Sequence, residues 1–443
     1  MAGWFGKAAP ARVHTDTVAP MRYFDDSIAQ GEIEYHLPAE FTPERPAVAF
    51  SQVQTGMAIA AHPVASQLPR AHGNRPIIAG DPELFTSLVR PEGMPTSIND
   101  WLTQDRGLLG LHVVSFTDAT IVVFYFNHTT FDLMGWGALM TAWTHVLHGR
   151  EHLVAKPFGG DPGSTGFDQL KDLGTNPTEP HVLAHKHMKI GSLIGYGVRN
   201  VFDLAFKAKE NRIVCIPGAF IDKLRARSMA ELSAAAEPGA TPFLSDADVL
   251  AAWWARLAAS TSQSPDSERT ISIQYAASAR KALGMSVDYS RDPYLSNLFT
   301  MLYTIMPARD LINKPVSHTA KEIRRSIVEQ GTREQVESYY AIQRQTPGKM
   351  LPFMGDAGMH AVLMSNWGKA NLYAHDFSPA ALFSEDRGKA QYPSYIQATQ
   401  VPFNYPEGFL VIGQDMQKNY WLYGFRMAGL WAKVEKELAE LDV

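Results

Sequence analysis

The stretch His128-Thr129-Thr130-Phe131-Asp132 is the strongest indication of fold and chemistry in this chain. It follows an uninterrupted apolar run at 121–126 and precedes a segment with helical spacing of apolar residues. This order predicts an imidazole at the end of a buried strand, where it can face a cavity. Histidine titrates near neutral pH and accepts protons from hydroxyl and amine groups, so His128 is a candidate general base.

The spacing alone is a weak signal, because a histidine and an aspartate four residues apart occur by chance in many proteins. Its setting between an apparent strand and an apparent helix strengthens the functional interpretation. Gly135 and Gly137 follow at once and suit a close approach of the backbone. The carboxylate of Asp132 is close enough in sequence either to contact His128 within the same turn or to hold the backbone of that turn.

Length and composition are those of a globular protein. The chain has 443 residues, enough for two or three domains, and a formal net charge of -5. This balance predicts neither a nucleic-acid partner nor attraction to an anionic membrane. The N-terminus lacks the apolar core of a secretory signal, and no apolar run approaches the ~20 residues that span a bilayer. We therefore expect a cytoplasmic protein without membrane insertion.

Cysteine and histidine usage limits the possible metal sites. The one cysteine, Cys215, excludes an internal disulfide and any site built from several thiolates, and its apolar segment predicts a core residue. His181 and His185 have the spacing of a metal-binding pair on a helix. Because no third ligand or acidic base follows nearby, we favour a solvated helix face and expect no metal.

Hydrophobic periodicity and turn residues predict an irregular alternation of strands and helices. Strands are predicted at 48–51, 75–79, 111–116, 121–126, 212–216, 271–275, 301–306, 361–364, 396–398 and 409–412. The strands at 111–116 and 121–126 are joined by a tight polar turn, which predicts a hairpin. Helices are predicted at 135–148, from 220, at 245–254 with an N-cap at Ser245 or Asp246, at 315–330 and at about 423–441. The pattern indicates an α/β or α+β protein in two lobes.

Further motifs give the chain a family resemblance. Together with His128-x-x-x-Asp132, the segments Ser365-Asn366-Trp367 and Asp376-Phe377-Ser378-Pro379 resemble the BAHD acyltransferases, in a form closer to the fungal branch. The stretch Ser245 to Trp254, which reads S-x-x-D-V-L-x-A-x-W, and Arg280 with Tyr294-Leu295-Ser296-Asn297 resemble the family's intervening landmarks. The chain departs from the family at Leu133 and Ser296, where glycine is usual, and at 378–380, where Gly-Trp-Gly is lost.

The resemblance implies two similar-sized lobes of the chloramphenicol acetyltransferase type, each a mixed sheet with helices, and a tunnel between them. We expect an N-terminal lobe at 1–185, a crossover linker at 186–211 and a C-terminal lobe at 212–443. A monomer is expected, because the family is mostly monomeric.

The resemblance also implies residue roles. His128 is expected to deprotonate an acceptor hydroxyl or amine in a ternary complex with acyl-CoA, with acetyl-CoA as the expected donor. Asp132 is expected to hold the active-site turn, and Asp376 to pair with Arg280. Ser365 and Trp367 are candidate donors to the oxyanion.

Two further groups of residues are expected to bind the substrates. Basic residues beside family landmarks are candidates for the phosphates of CoA, although each is equally explained as a solvated side chain: Lys281, Lys369, Arg387 and Lys389. Candidates to line an apolar pocket for a small-molecule acceptor, or simply to fill the core, are Tyr125, Phe131 and Trp136.

Two alternatives remain open. The first alternative is a condensation-type enzyme, which uses an H-x-x-x-D motif but takes its acyl group from a carrier-protein thioester. Such enzymes usually have a second histidine directly before the base, and that position is Asn127 here. The second alternative is a non-catalytic binding protein that retains the fold. The presence of His128 argues against this alternative, whereas the loss of the family's residues after Asp376 is compatible with it.

Overall fold

A computed structural model describes residues 17–20, 34–37, 46–103, 106–158, 168–239, 241–381, 388–398 and 406–441. These residues divide into two compact units. Unit one comprises the described residues up to Leu68, those at 83–132 and those at 348–350. Unit two comprises 69–82 and the described residues at 133–347 and from Leu351 onward.

The strands are, in chain order, β1 (Thr17–Pro20), β2 (Glu34–Leu37), β3 (Val48–Gln54), β4 (Ile77–Gly80), β5 (Leu109–Ser115), β6 (Thr120–Phe126), β7 (Lys209–Ile216), β8 (Thr270–Ser278), β9 (Phe299–Pro307), β10 (His360–Asn366), β11 (Glu407–Gln414) and β12 (Tyr420–Met427). The α-helices are α1 (Thr86–Val89), α2 (Ile98–Thr103), α3 (Leu133–Leu147), α4 (Asp168–Lys171), α5 (Ile190–Phe206), α6 (Gly218–Ala234), α7 (Asp246–Ser262), α8 (Ala308–Asn313), α9 (Val316–Gln330), α10 (Arg333–Gln345) and α11 (Leu430–Ala439).

Unit one contains a three-stranded sheet in the order β3-β5-β6, and β1 pairs antiparallel with β2. β3 runs parallel to β5, and β5 and β6 form an antiparallel hairpin closed by the N–H of Phe116, which donates to the carbonyl of Ala119 at 2.9 Å. The predicted hairpin is therefore confirmed. Val114 and Phe116 pack against Phe85 on one face of the sheet, and the apolar run of β6 carries the chain directly to His128.

Unit two is built on a seven-stranded sheet in the order β4-β7-β12-β11-β10-β8-β9. β10 runs parallel to both β8 and β11, while the other pairs are antiparallel. The sheet is therefore mixed, and the predicted α/β class is confirmed. The parallel arrangement brings the C-terminal ends of β8, β10 and β11 to one edge of the sheet.

Helix α7 covers the core face of this sheet. It starts at the predicted N-cap Ser245, whose Oγ accepts the backbone N–H of Asp248 at 3.3 Å, while the Asp248 carboxylate accepts the N–H of Ser245 at 2.7 Å. This capping box satisfies donors that a helix start leaves free. Trp254 is 1% exposed and packs against Phe409 and Trp431, with ring centroids 5.3 and 6.0 Å apart.

One predicted strand is wrong, and one predicted helix is right only in its second half. Residues 396–398 lie in irregular structure, and the predicted helix at 423–441 is in fact β12 followed by α11. β12 lies between β7 and β11, and both of its faces are covered: Leu422 packs in one buried cluster, and Trp421 and Tyr423 pack in another. Because both faces are buried, its sequence lacks the alternation of a half-exposed strand. Among the described residues, no helix is long and apolar enough to cross a membrane.

Candidate active site

The His128 turn is set by hydrogen bonds within four residues. The Asn127 side-chain oxygen accepts both the backbone N–H and the hydroxyl of Thr129, at 2.9 and 2.8 Å. The N–H of Thr130 donates to the carbonyl of Asn127 at 2.9 Å. These bonds turn the chain out of β6, bury Thr129 and leave the His128 side chain exposed. A general base must be accessible to its substrate, and His128 meets that requirement.

Asp132 closes the turn in a different environment. Its side chain is buried, and Phe131 beside it packs on Phe126 with ring centroids 4.8 Å apart. A carboxylate withdrawn from solvent is better suited to holding a backbone turn than to relaying a proton. The burial therefore favours the structural role that we expect of Asp132.

Ser365 and Trp367 form a unit at the end of β10. The indole N–H of Trp367 donates to the Oγ of Ser365 at 3.1 Å, and the backbone N–H of Trp367 donates to the carbonyl of Val411 at 2.8 Å. The first of these bonds uses the only donor of the indole. Within the described residues, the hydroxyl hydrogen of Ser365 has no acceptor. Of the two oxyanion candidates, Ser365 is therefore the one with a donor to offer.

The side-chain partner of Asp376 is His148, and not the predicted Arg280. The Nε2 atom of His148, at the end of α3, lies 3.5 Å from its carboxylate and 3.1 Å from its backbone carbonyl. The carboxylate also accepts the backbone N–H groups of Ser378 and Gln391, at 2.9 and 2.8 Å. Ser378, which replaces the family's glycine, thus has a role of its own, because its hydroxyl donates to Asp376 at 3.0 Å.

Arg280 is buried and donates to the backbone carbonyls of Tyr294 and Ser296, each at 2.9 Å. The guanidinium therefore ties the end of β8 to the Tyr294–Asn297 landmark. The sequence indicates neither the partners of Asp376 nor those of Arg280. The one signal for His148 is its place at the end of the helix that begins directly after Asp132, where a cation is favoured.

The candidate phosphate-binding residues are exposed where the structure describes them. Lys281 follows the C-terminal end of β8, and Lys369 follows that of β10, in the short 3-10 turn at 368–370. Because β8 and β10 are parallel neighbours, both lysines and Ser365 belong to the same edge of the sheet. Lys389 is exposed as well, and Arg387 lies outside the described residues.

The candidate acceptor-pocket residues have different surroundings. Phe131 is buried, and Trp136 on α3 is half-buried. Tyr125 is half-buried, its ring lies over Gly110, and a Cβ atom at Gly110 would stand 1.9 Å from that ring. Burial raises the pKa of Tyr125. The close fit explains why Gly110 has no side chain and favours a packing role for Tyr125.

The prediction of a solvated helix face at His181 and His185 is wrong for the helix and for His181, while His185 is exposed as predicted. His181 is 4% exposed, and its Nδ1 atom accepts the backbone N–H of Leu183 at 3.1 Å. The chain there forms only a 3-10 turn at 184–186. Burial lowers the pKa of His181 to about 4, so it is neutral at physiological pH. The described residues contain no group of three His, Cys, Asp or Glu side chains that could hold a metal ion.

Cys215 is the core residue that the sequence predicts. It is 2% exposed on β7, and burial, helped by the charge of Asp415, raises the pKa of its thiol to about 12. A thiol that keeps its proton at neutral pH is a poor nucleophile. Cys215 therefore does not offer a route through a covalent acyl-enzyme.

Comparison with known proteins finds relatives that match most of the chain. A family model described as the Transferase family matches residues 94–380. The acetyltransferase adrJ of Penicillium rubens is 34% identical over 426 residues, covering 93% of this chain and 84% of that protein. The O-acyltransferase ausP of Aspergillus calidoustus is 30% identical, covering 92% and 82%. A relative with a different name, the transcriptional regulator calD of Penicillium decumbens, is 35% identical, covering 93% and 83%.

Among solved structures, the chain is similar to TRI101 of F. sporotrichioides, determined with coenzyme A and T-2. The TM-score is 0.63 at 14% identity, with coverage of 97% of this chain and 85% of that one. The similarity extends over nearly the whole chain and agrees with the predicted fold. The chain belongs to the Transferase family of BAHD-type acyltransferases.

Proposed function

We propose that this protein transfers an acyl group from acyl-CoA to a hydroxyl of a small secondary metabolite. The observation that carries the proposal is the exposed His128 at the end of β6, in the motif and family where a general base is expected. The names of adrJ and ausP and the coenzyme A bound to TRI101 support the reaction class and the donor.

In the proposed reaction, His128 takes the proton of the acceptor hydroxyl as its oxygen attacks the thioester carbonyl. The carbonyl electrons move to its oxygen and form a tetrahedral oxyanion, to which the Ser365 hydroxyl donates. When the intermediate collapses, the carbon–sulfur bond breaks and the protonated His128 returns its proton to the leaving thiolate. General-base catalysis typically contributes about 10²–10⁴-fold, and an oxyanion donor about 10²–10³-fold.

Asp132 keeps its proposed structural role, which its burial supports. Trp367 is proposed to orient Ser365 through the indole hydrogen bond rather than to contact the oxyanion. Lys281 and Lys369 remain our candidates for the CoA phosphates, because they are exposed at the edge of the sheet that also carries Ser365.

We further propose acetyl as the transferred group and an alcohol as the acceptor. Relatives named as acetyltransferases support the first, and a relative named as an O-acyltransferase supports the second. A cytoplasmic monomer is the proposed form of the protein, on the sequence arguments given above.

The experiment is a screen of acyl-CoA donors against a panel of hydroxylated terpenoids and alkaloids, with thermal unfolding measured in parallel. Acetyl-CoA is expected to raise the melting temperature and to give an acetyl ester with at least one acceptor. Stabilisation by an acylated carrier protein, but not by CoA, would replace this proposal with the condensation-type reaction. If neither raises the melting temperature, a non-catalytic role is favoured.

A further inference from the structure

Helix α5 presents a row of aliphatic side chains to solvent. Ile190, Ile194 and Val198 are 60, 62 and 68% exposed, and they are spaced four residues apart, so they lie on one face of the helix. We propose that this aliphatic row docks the protein on an anionic phospholipid surface. The proposal is independent of the acyl-transfer reaction.

The opposite face of α5 fixes the orientation of the row. Tyr196 is 7% exposed and forms a buried cluster with Met188 and Met359, and its ring packs at a tilt against that of Phe353, with centroids 5.8 Å apart. The side chain of Asn200 is buried as well and donates to the carbonyl of Tyr196 at 2.9 Å. Because this face is held by packing, the aliphatic row cannot turn inward without breaking the cluster.

The charges around α5 differ in sign from those of the whole chain. Between residues 186 and 207 one carboxylate, Asp203, stands against four cationic residues, all of them exposed: Lys186, Lys189, Arg199 and Lys207. The whole chain carries a formal charge of -5, which by itself predicts no attraction to an anionic membrane. A Cβ atom at Gly358 would lie 3.1 Å from Arg199 and 3.2 Å from Asp356, so these two opposite charges are close together and partly cancel. Lys186 and Lys189 therefore carry the local excess of positive charge.

A lipid surface fits this combination better than a second copy of the chain. In a two-fold dimer the same patch faces itself, so the lysines would approach lysines. Anionic headgroups instead neutralise them, while the aliphatic side chains enter the boundary between headgroups and acyl chains. With 17 residues, α5 is about 25 Å long and would lie flat on the surface.

The test is cosedimentation of the full chain with phosphatidylcholine vesicles, with and without phosphatidylserine. The protein is expected to bind the phosphatidylserine vesicles more strongly. Ile194→Asp should lower binding about tenfold or more, the scale expected for losing one buried isoleucine. Replacing Lys186 and Lys189 with glutamine should sharply reduce the preference for phosphatidylserine. The matched control is Val328→Asp, which places the same charge at a residue 63% exposed on α9 and should leave binding unchanged.

Four outcomes would overturn the proposal. The first is that the unaltered chain does not bind the vesicles. The second is that Val328→Asp loses as much vesicle binding as Ile194→Asp. The third is a dimer, seen by light scattering, that Ile194→Asp dissociates, because the row would then face a second copy. The fourth is a large fall in melting temperature for Ile194→Asp with unchanged vesicle binding, because the row would then be covered within the chain. Turnover of a water-soluble acceptor without vesicles should be unchanged in Ile194→Asp, so a failure here leaves the proposed reaction standing.

Discussion

The His128 turn and the Asp376 segment differ in how far along the chain their partners lie. In the first, Asn127 accepts from residues two and three positions ahead, and His128-x-x-x-Asp132 is complete, with only the glycine usual after it replaced by Leu133. In the second, Asp376 is held by His148, 228 positions away, and by Gln391, 15 positions away, and the family's Gly-Trp-Gly is lost. The first region is expected to determine the rate, and the second to determine stability.

The largest effect is expected from His128→Ala. Loss of the general base should lower kcat by about 10²–10⁴-fold. Because the side chain is exposed, the melting temperature and the stabilisation by CoA should change little. Steady-state kinetics and thermal unfolding measure the two effects. His185→Ala, which removes another exposed histidine, is the control. A His128→Ala variant with a near-wild-type rate would remove the His128 turn from the chemistry.

The next largest effect is expected from Ser365→Ala. Loss of one donor to an oxyanion typically lowers kcat by about 10²–10³-fold, with a smaller change in KM. Trp367→Phe keeps the ring but removes the N–H that donates to Ser365, so its rate loss should be smaller. If Trp367→Phe is the more damaging substitution, then the indole rather than the hydroxyl faces the reacting carbonyl.

Asp376→Ala should affect stability more than rate. It leaves the backbone N–H groups of Ser378 and Gln391 without their acceptor, at a cost of about 1–3 kcal/mol in the free energy of unfolding. Asp376→Asn retains an acceptor oxygen and should lose less. Urea unfolding measures both variants. A large fall in kcat with an unchanged unfolding midpoint would contradict the division of roles between the two regions.

The contribution of Asp376 should also depend on pH. Burial acts to raise the pKa of its carboxyl, but the N–H donors of Gln391 and Ser378 outweigh it, so the pKa is lowered. A group with a lowered pKa stabilises the fold above its ordinary value of about 3.9, and this stabilisation is lost as pH falls through the folded pKa. The stability difference between wild type and Asp376→Ala should therefore be full near neutral pH and shrink in acid. A difference that is constant across this range would argue against the carboxylate as its source.

The same contrast explains which predictions from the sequence succeeded. The β5–β6 hairpin and the Ser245 cap depend on residues close in sequence, and both are confirmed. The sequence at 423–427 predicts a helix instead of the end of β12, because a strand with both faces buried shows no alternation of polar and apolar residues. The burial of His181 and the partner of Asp376 depend on segments brought together by the fold. No spacing rule within the sequence indicates either.

The smallest effect is expected at His148. Its contact with Asp376 has two parts: a hydrogen bond from Nε2–H to the backbone carbonyl, and a half-buried approach of 3.5 Å to the carboxylate. The second part is an ion pair only when His148 is protonated, and is then worth about 0–1 kcal/mol. His148→Gln can keep a donor to the carbonyl and should cost less than His148→Leu, which keeps neither part. Both should destabilise less than Asp376→Ala in urea unfolding, because the N–H donors of Ser378 and Gln391 still hold the carboxylate. If His148→Leu instead costs as much as Asp376→Ala, then the distant partner, and not the local N–H groups, maintains the segment.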